Sequence, residues 1–417
     1  MIDKILKNNR EKVDKFVFYF SIVDILFLPY IWFISTNYSL GIVAIWALIN
    51  IKNITKMREF RISVFLTIFI IISTVISFFC YPSELKTGYT VWISNIKMAM
   101  QYMSYFLYYI MFVYVIKKYQ DIKIKKILLS FLGFAVILAI IYMVSRTGFA
   151  NIKTFWNRVD SFTIWYKEGK AIQYRYNFIW TDPNNPAYAF VALMVYLLLN
   201  EKVNMLERLY ILASTIFLLI CSMSTGGALC FFIAIICLVI FDVIPNRAKV
   251  KKKINKQNKK KILLLVASLI VILFLVILVL SKTDLYREST KRIFGNADEG
   301  SSSRISIWKK IIKNSNIFHN VIFGTGGTQV IFKDGTMLAP HNGNLYFIYA
   351  YGMIFYILFM YEFFRKRKNV KLRNYLFVIP IFIGFTINTI VGEQKFMILY
   401  ILLYTAVSYK KIKIDED

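Results

Sequence analysis

Both histidines of the chain, His319 and His341, lie in one polar stretch, Ser281 to Asn342, set between two long apolar runs. The stretch also carries nine Lys and Arg residues and runs into GTGGTQV…APHNGNLYFIYAYG. A neutral imidazole can take a proton from a hydroxyl near neutral pH. His341 sits where the polar stretch re-enters apolar sequence, which makes it the candidate general base; an interface or cap residue accounts for the same position. His319, in NIFHNVIF, has weaker context and reads as structural.

Other groups with chemical potential are spread along the chain. Arg175, in YRYNFIWTDPNNPAYAF, is a guanidinium at a membrane edge, able to hold a phosphate through two parallel N–H bonds. Asp182, Pro183 and Asn184 follow it as a turn cluster with helix-capping residues. CSMSTGGALCFF, Cys221 to Phe232, reads as a tight polar turn between two apolar runs, a hairpin of small residues or a turn facing an external cavity. Gly324 and Gly326 offer either a phosphate-cradling nest or a flexible turn; with no Lys-Ser/Thr following, the run is not a nucleotide P-loop. Asp24, inside an apolar run, is a functional candidate with no evident partner.

The elements that must position these residues are membrane helices. The 417-residue chain is 58% hydrophobic with mean hydropathy +0.56, above the 45–50% or so of soluble domains. A span takes roughly 20 apolar residues. Twelve candidates follow, at about 16–35, 38–51, 62–81, 97–116, 127–144, 187–200, 208–223, 226–243, 262–281, 343–363, 375–391 and 396–409. The fold expected is an all-α integral membrane protein of about twelve transmembrane helices, forming a single polytopic domain over 1–417. The first run has no small-x-small cleavage site and reads as a helix, not a removed signal.

Charge orients it. Placing the N-terminus in the cytoplasm puts the basic loop 244–261, the cluster Arg365 to Arg373 and the C-terminal lysines inside as well. These runs read as topology determinants and anionic-lipid contacts. The net charge of +29 therefore needs no nucleic acid partner, and no recognition motif accompanies it. Cys80, Cys221, Cys230 and Cys237 lack CxxC spacing and read as apolar packers, so no metal is expected.

Two external segments exceed what connection needs: 145–186 and the large loop 282–342. Both keep positive charge on the outer side, against the usual bias. That charge calls for an anionic partner such as phosphate, although long loops also escape the bias. Within the second loop, Ile305, Trp308, Ile311 and Ile312 fall at helical spacing opposite Arg304, Lys309, Lys310 and Lys313. This predicts a short amphipathic helix, lying in the outer interface or packed on the bundle.

In this order the motifs resemble the O-antigen ligase and O-antigen/capsular polysaccharide polymerase superfamily. The matching positions are Arg175 with Asp182, Pro183 and Asn184; Ser222 and Ser224 with Gly226; Arg304 with Trp308; Gly324 and Gly326; His341 and Asn342; and Gly352. The arginine of the family's S-x-S-R-G turn is absent, with Thr225 in its place. The resemblance implies a metal-independent, inverting glycosyltransferase without cofactors, in a bacterial inner or plasma membrane. Its donor would be an undecaprenyl-diphosphate-linked oligosaccharide, with Arg304 and Arg175 stabilising the diphosphate leaving group and His341 deprotonating the acceptor hydroxyl. Trp308 and Tyr346 would stack on sugars at the rim. Gly324, Gly326, Asn342, Asp182 and Asn184 would complete the substrate site. A repeat-unit polymerase is expected, beside a chain-length regulator and a flippase of the same pathway. The alternatives are a ligase delivering finished glycan, and a transporter of lipid-linked oligosaccharide, disfavoured by few intramembrane charges and no evident repeat.

Overall fold

The computed structural model describes residues 2–31, 37–81, 83, 90–156, 163–167, 170–180, 182–240, 304–314, 322–327, 329–331, 337–338, 340–368 and 370–409. The expected span at 262–281, the basic loop 244–261 and His319 lie outside them. The helices are α1 (Ile2–Phe27), α2 (Ser39–Ile49), α3 (Ile51–Ile54), α4 (Arg58–Cys80), α5 (Val91–Lys118), α6 (Lys125–Val144), α7 (Arg146–Thr154), α8 (Asn184–Asn200), α9 (Met205–Ser222) and α10 (Thr225–Leu238). They continue with α11 (Arg304–Asn314), α12 (Gly343–Phe364), α13 (Val378–Ile387) and α14 (Gln394–Tyr409).

Five of these, α4, α5, α6, α9 and α12, are long and apolar enough to cross a membrane; α2, α10 and α13 are shorter apolar helices. The architecture is that of a multi-pass membrane protein. Its apolar surface supports this directly. Phe65, Ile68, Ile72, Val75 and Phe79 stand exposed at helical spacing along α4, while Ser63, Ser73 and Ser77 of the same helix are buried. Such a continuous apolar stripe suits lipid, not water.

The bundle is helical as expected, with short strands only in its long connections. Two antiparallel pairs occur, β1 (Thr163–Lys167) with β2 (Lys170–Arg175), and β3 (Val330–Ile331) with β4 (Met337–Leu338). Both fall in the two long polar segments, where neighbouring helices do not supply the backbone's hydrogen bonds.

α5 is the hub, packing on α1, α2, α4 and α14. Its Tyr105, Tyr108, Tyr109, Met111, Phe112 and Val113 are buried together. α8 is the second axis, against α9, α10, α13 and α14. Tyr188 of α8 fills a slot between Gly226 of α10 and Gly384 of α13; a Cβ at Gly384 would meet the Tyr188 ring at 2.7 Å. Small residues at the crossing let the three helices close on that ring.

Charged residues are also buried among the described residues. Asp14, Asp24, Glu59, Lys153, Arg175, Glu362, Glu393 and Lys395 are all buried. At the end of the bundle that holds the start of α4 and the ends of α5 and α12, the carboxylates absorb basic residues. Asp14 takes Lys118 Nζ, the Trp46 indole and Tyr119 Oη, each at 2.8 Å. Glu59 takes Lys117 Nζ at 3.0 Å, and Glu362 takes Arg58 at 2.8 Å, Arg367 at 2.5 Å and Tyr109 Oη at 2.5 Å. Arg367, read from sequence as part of a lipid-contacting cluster, is thus spent on an ion pair with the buried Glu362, where breaking one partner is far costlier than on a surface.

Candidate functional site

The opposite end of the bundle gathers the sequence motifs. Asp182 is the organiser of the first. Its Oδ1 accepts the Asn184 backbone N–H at 2.7 Å and the Asn184 Nδ2 at 2.8 Å, and its Oδ2 accepts Asn388 Nδ2 at 3.2 Å. With Nδ2 committed to the carboxylate, Asn184 must present Oδ1 to the other side. That oxygen accepts Arg175 Nη2 at 3.0 Å and Ser224 Oγ at 2.7 Å. Arg175 is 6% exposed, and its Nε donates to the Ser222 carbonyl at 3.1 Å.

The first two motifs are therefore one unit. Ser224 is also the N-cap of α10, accepting Gly227 N–H at 3.0 Å, while Met223 takes the left-handed conformation that ends α9. The polar turn between α9 and α10 is thereby the floor on which the Arg175 guanidinium rests.

The third motif reaches the same unit through α13. Asn342 caps α12, its Oδ1 accepting Asn344 N–H at 2.9 Å and Leu345 N–H at 3.1 Å. Gly343 abuts Phe385, and Asn344 Nδ2 donates to Thr386 Oγ1 at 3.3 Å. Two residues on, Asn388 ends α13 and bonds Asp182. His341 precedes the cap, exposed, with φ +48°. The start of α12 and the Arg175 unit are thus neighbours, joined through the last turn of α13.

α11 is held to this start. The Trp308 indole donates to the Pro340 carbonyl at 2.9 Å, one residue before His341. Ile307 and Ile311 pack with Val330 and Tyr349, and Trp308 lies against them. The helix is amphipathic as expected, but rotated from the stripe read in the sequence. Ile305 and Ile312 are exposed and Ile307 is buried, because Tyr349 and Val330 set which face docks. Arg304 is the first residue of this helix; its side chain lies outside the described residues.

Gly324 and Gly326 lie in a buried run packed on α12. α12 is broken at Gly352, with φ +86° and ψ 169°, which strands carbonyls of the preceding turn. The Thr325 and Gly326 N–H groups supply them, donating to Tyr349 O at 2.8 Å and Ala350 O at 2.7 Å. Gly327 N–H goes to Thr325 Oγ1 at 3.3 Å. The run is a buried plug in a broken helix, with the Thr325, Gly326 and Gly327 N–H groups all bonded, where the sequence allowed a flexible turn. Gly324 and Gly326 both have positive φ, +69° and +68°. A Cβ at Gly326 would strike the Ser73 backbone and, at 2.9 Å, the Ser77 side chain. Gly326→Ala is expected to lower the melting temperature by several degrees, since the left-handed conformation alone costs an L-residue about 1–2 kcal/mol. An unchanged melting temperature would mean that the plug does not seat against α4.

Other expectations shift as well. Tyr346 is 2% exposed, in a ring cluster with Tyr102, Phe347 and Tyr351. It is core and not rim. Lys153, read as outward charge, is fully buried and donates to Asn177 Oδ1 at 2.8 Å and Trp180 O at 2.7 Å, pinning α7 to the segment before α8. Asp24 has partners after all: Oδ2 accepts Ser39 N–H at 2.6 Å, and Lys395 Nζ sits on the carbonyls of Asp24 and Leu28 at 2.8 and 2.5 Å. The lysine thus caps the C-terminal end of α1, where a cation is favoured.

Asn388 was missed because the apolar run 375–391 absorbed it. The signal was available: INT followed by GEQK separates two short runs, the pattern of a helix that ends inside the bundle. Among the described residues, no cluster of His, Cys, Asp and Glu could hold a metal ion.

The motif order and this geometry meet an independent finding. Residues 210–360 match the O-Antigen ligase family model. The chain carries a domain of that family. The match covers α9 to most of α12, and so includes Ser222, Ser224, Trp308, Gly324, Gly326, His341 and Asn342. No curated protein matches the chain. Over those residues the chain is similar to a family of the O-antigen ligase and polymerase type, whose members are glycosyltransferase-like enzymes acting on lipid-linked glycans. Arg175, Asp182, Asn184 and Asn388 lie outside the matched residues yet bond directly to Ser222 and Ser224 within them or to one another.

Proposed function

We propose that the chain is a polysaccharide repeat-unit polymerase at the outer face of a bacterial inner or plasma membrane. It would transfer a glycan from an undecaprenyl-diphosphate carrier to a sugar hydroxyl on a second lipid-linked glycan, with inversion and without a metal. The observation that carries this reading is the Arg175–Asn184–Ser224 junction beside the α12 start. It holds a buried guanidinium in a fixed orientation, and the last turn of α13 links it to the segment that carries the exposed His341.

The chemistry needs little more. A diphosphate is a good leaving group, and breaking the bond from the anomeric carbon leaves negative charge on the terminal phosphate oxygen that had been bonded to that carbon. Arg175 would stabilise that charge, together with Arg304 at the head of α11. His341 would accept the acceptor's hydroxyl proton as the new C–O bond forms. Trp308 and Asn342 fix the segment that carries the imidazole, and Gly324 and Gly326 let the plug seat on α12. Asp182 and Asn184 act on substrate through Arg175. A chain-length regulator and a flippase would be partners in the same membrane.

The ligase reading has its own support, since the matching model is described as O-Antigen ligase. Purified protein supplied with a synthetic lipid-diphosphate oligosaccharide separates the possibilities on a gel. A ladder of products spaced by one repeat is expected. A single transfer to a foreign acceptor would make it a ligase, and unchanged substrate would remove the polymerase assignment in favour of transport.

A further inference from the structure

Asn388 ends α13 at 4% exposure, beyond the matched residues 210–360, and the chemistry above makes no use of it. Its amide is committed at both ends. Oδ1 accepts the Thr389 N–H at 2.9 Å, so it is Nδ2 that faces Asp182 Oδ2, at 3.2 Å. The other Asp182 oxygen takes both Asn184 donors, which turns Asn184 Oδ1 towards Arg175 Nη2. Each bond in this series has one polarity. Reversing any amide would set donor against donor, so the heading of the guanidinium is fixed from residue 388 onwards.

The same turn of α13 holds the other half of the site. Thr386 Oγ1 accepts Asn344 Nδ2 at 3.3 Å, and Asn344 Oδ1 accepts the Tyr356 hydroxyl at 3.1 Å, so this amide too has one orientation. Asn344 belongs to the first turn of α12, which Asn342 caps and His341 precedes.

We infer that Asn388 is a positioning residue for glycan transfer. Through Asp182 and Asn184 it aims the Arg175 guanidinium, and from the turn that also holds the α12 start it keeps that group in register with His341. The inference rests on the reading of Arg175 as the partner of the diphosphate.

The test uses purified full-length protein and a synthetic lipid-diphosphate oligosaccharide, with kcat and donor KM measured separately. Asn388→Asp sets carboxylate against carboxylate, and Asp182→Asn sets donor against donor. Each should lower kcat by about 10²-fold, the scale for a group displaced by about 1 Å, and change KM much less. The exchange Asp182→Asn/Asn388→Asp restores one donor and one acceptor at the junction and should recover most of the lost rate. Should the single variants fail to fold, the exchange still decides: an exchanged protein that folds but transfers no better than Arg175→Lys overturns the role. Adding Asn388→Asp to Arg175→Lys should cost no more than about twofold further, because nothing is left to aim; a merely structural tie would multiply the two losses. Wild-type kcat in both single variants, or multiplied losses, would overturn the positioning role and leave Arg175 in place. Wild-type transfer by Arg175→Lys alone would instead remove the reading beneath it, and the inference with it.

Discussion

Arg175→Lys is expected to lower glycan transfer by about 10²–10³-fold, the scale seen when one fixed electrostatic donor is removed. The charge survives the substitution, so the effect isolates geometry. In the wild type, Nε points to the Ser222 carbonyl and Nη2 to Asn184 Oδ1, two directions set by one planar group. An ammonium cannot satisfy both acceptors from the same position and still present a plane to a diphosphate. Asn184 would keep its Ser224 bond, and Asp182 its three donors, so the fold around the site should persist. Cells carrying the variant should accumulate lipid-linked single repeats without polymer. Wild-type rates in purified Arg175→Lys protein would remove the arginine from the chemistry and leave it as a strut between α8 and the α9–α10 turn.

The case for Arg175 also shows where sequence reading ends. The apolar runs outside 262–281 each fall on a described helix, because lipid demands about 20 residues of greasy sequence and a helix to satisfy the backbone. The order of motifs was legible for a related reason. Each stands beside the end of an apolar run, and alternating runs return those ends to one side. What the motifs touch was not legible. Asp182 meets Asn388 across 206 positions, and no local pattern records that pairing. Lys153 looked like outward charge because a lysine in a loop between spans usually is; its acceptors, Asn177 and the Trp180 carbonyl, come from the fold. The rotation of α11 failed for a different cause. With isoleucines at 305, 307, 311 and 312, more than one apolar face can be drawn, and the docking surface chooses. Gly352 could be placed in a helix from sequence, but its role in opening that helix to the Gly324–Gly327 plug required the carbonyls of Tyr349 and Ala350.

The second large effect is expected at His341, where base and backbone can be separated. The residue has φ +48°, a conformation that costs a non-glycine residue about 1–3 kcal/mol and persists only when its neighbours enforce it. They do so here. Pro340 is held by the Trp308 indole and Asn342 by its bonds to the first turn of α12. Three substitutions divide the possibilities. His341→Gly relieves the strain and should leave the melting temperature equal or higher. His341→Asn keeps a side chain that tolerates this conformation and hydrogen-bonds, but has no basic nitrogen. His341→Ala keeps neither. If the imidazole takes the acceptor proton, all three should lose about 10²–10⁴-fold in transfer rate, whatever their stability. If the residue serves as a polar cap at the membrane edge, His341→Asn should transfer at close to the wild-type rate and His341→Ala should lose stability first. Near wild-type turnover by His341→Asn would therefore transfer the search for the base to another group at the α12 start, with the Arg175 junction left standing.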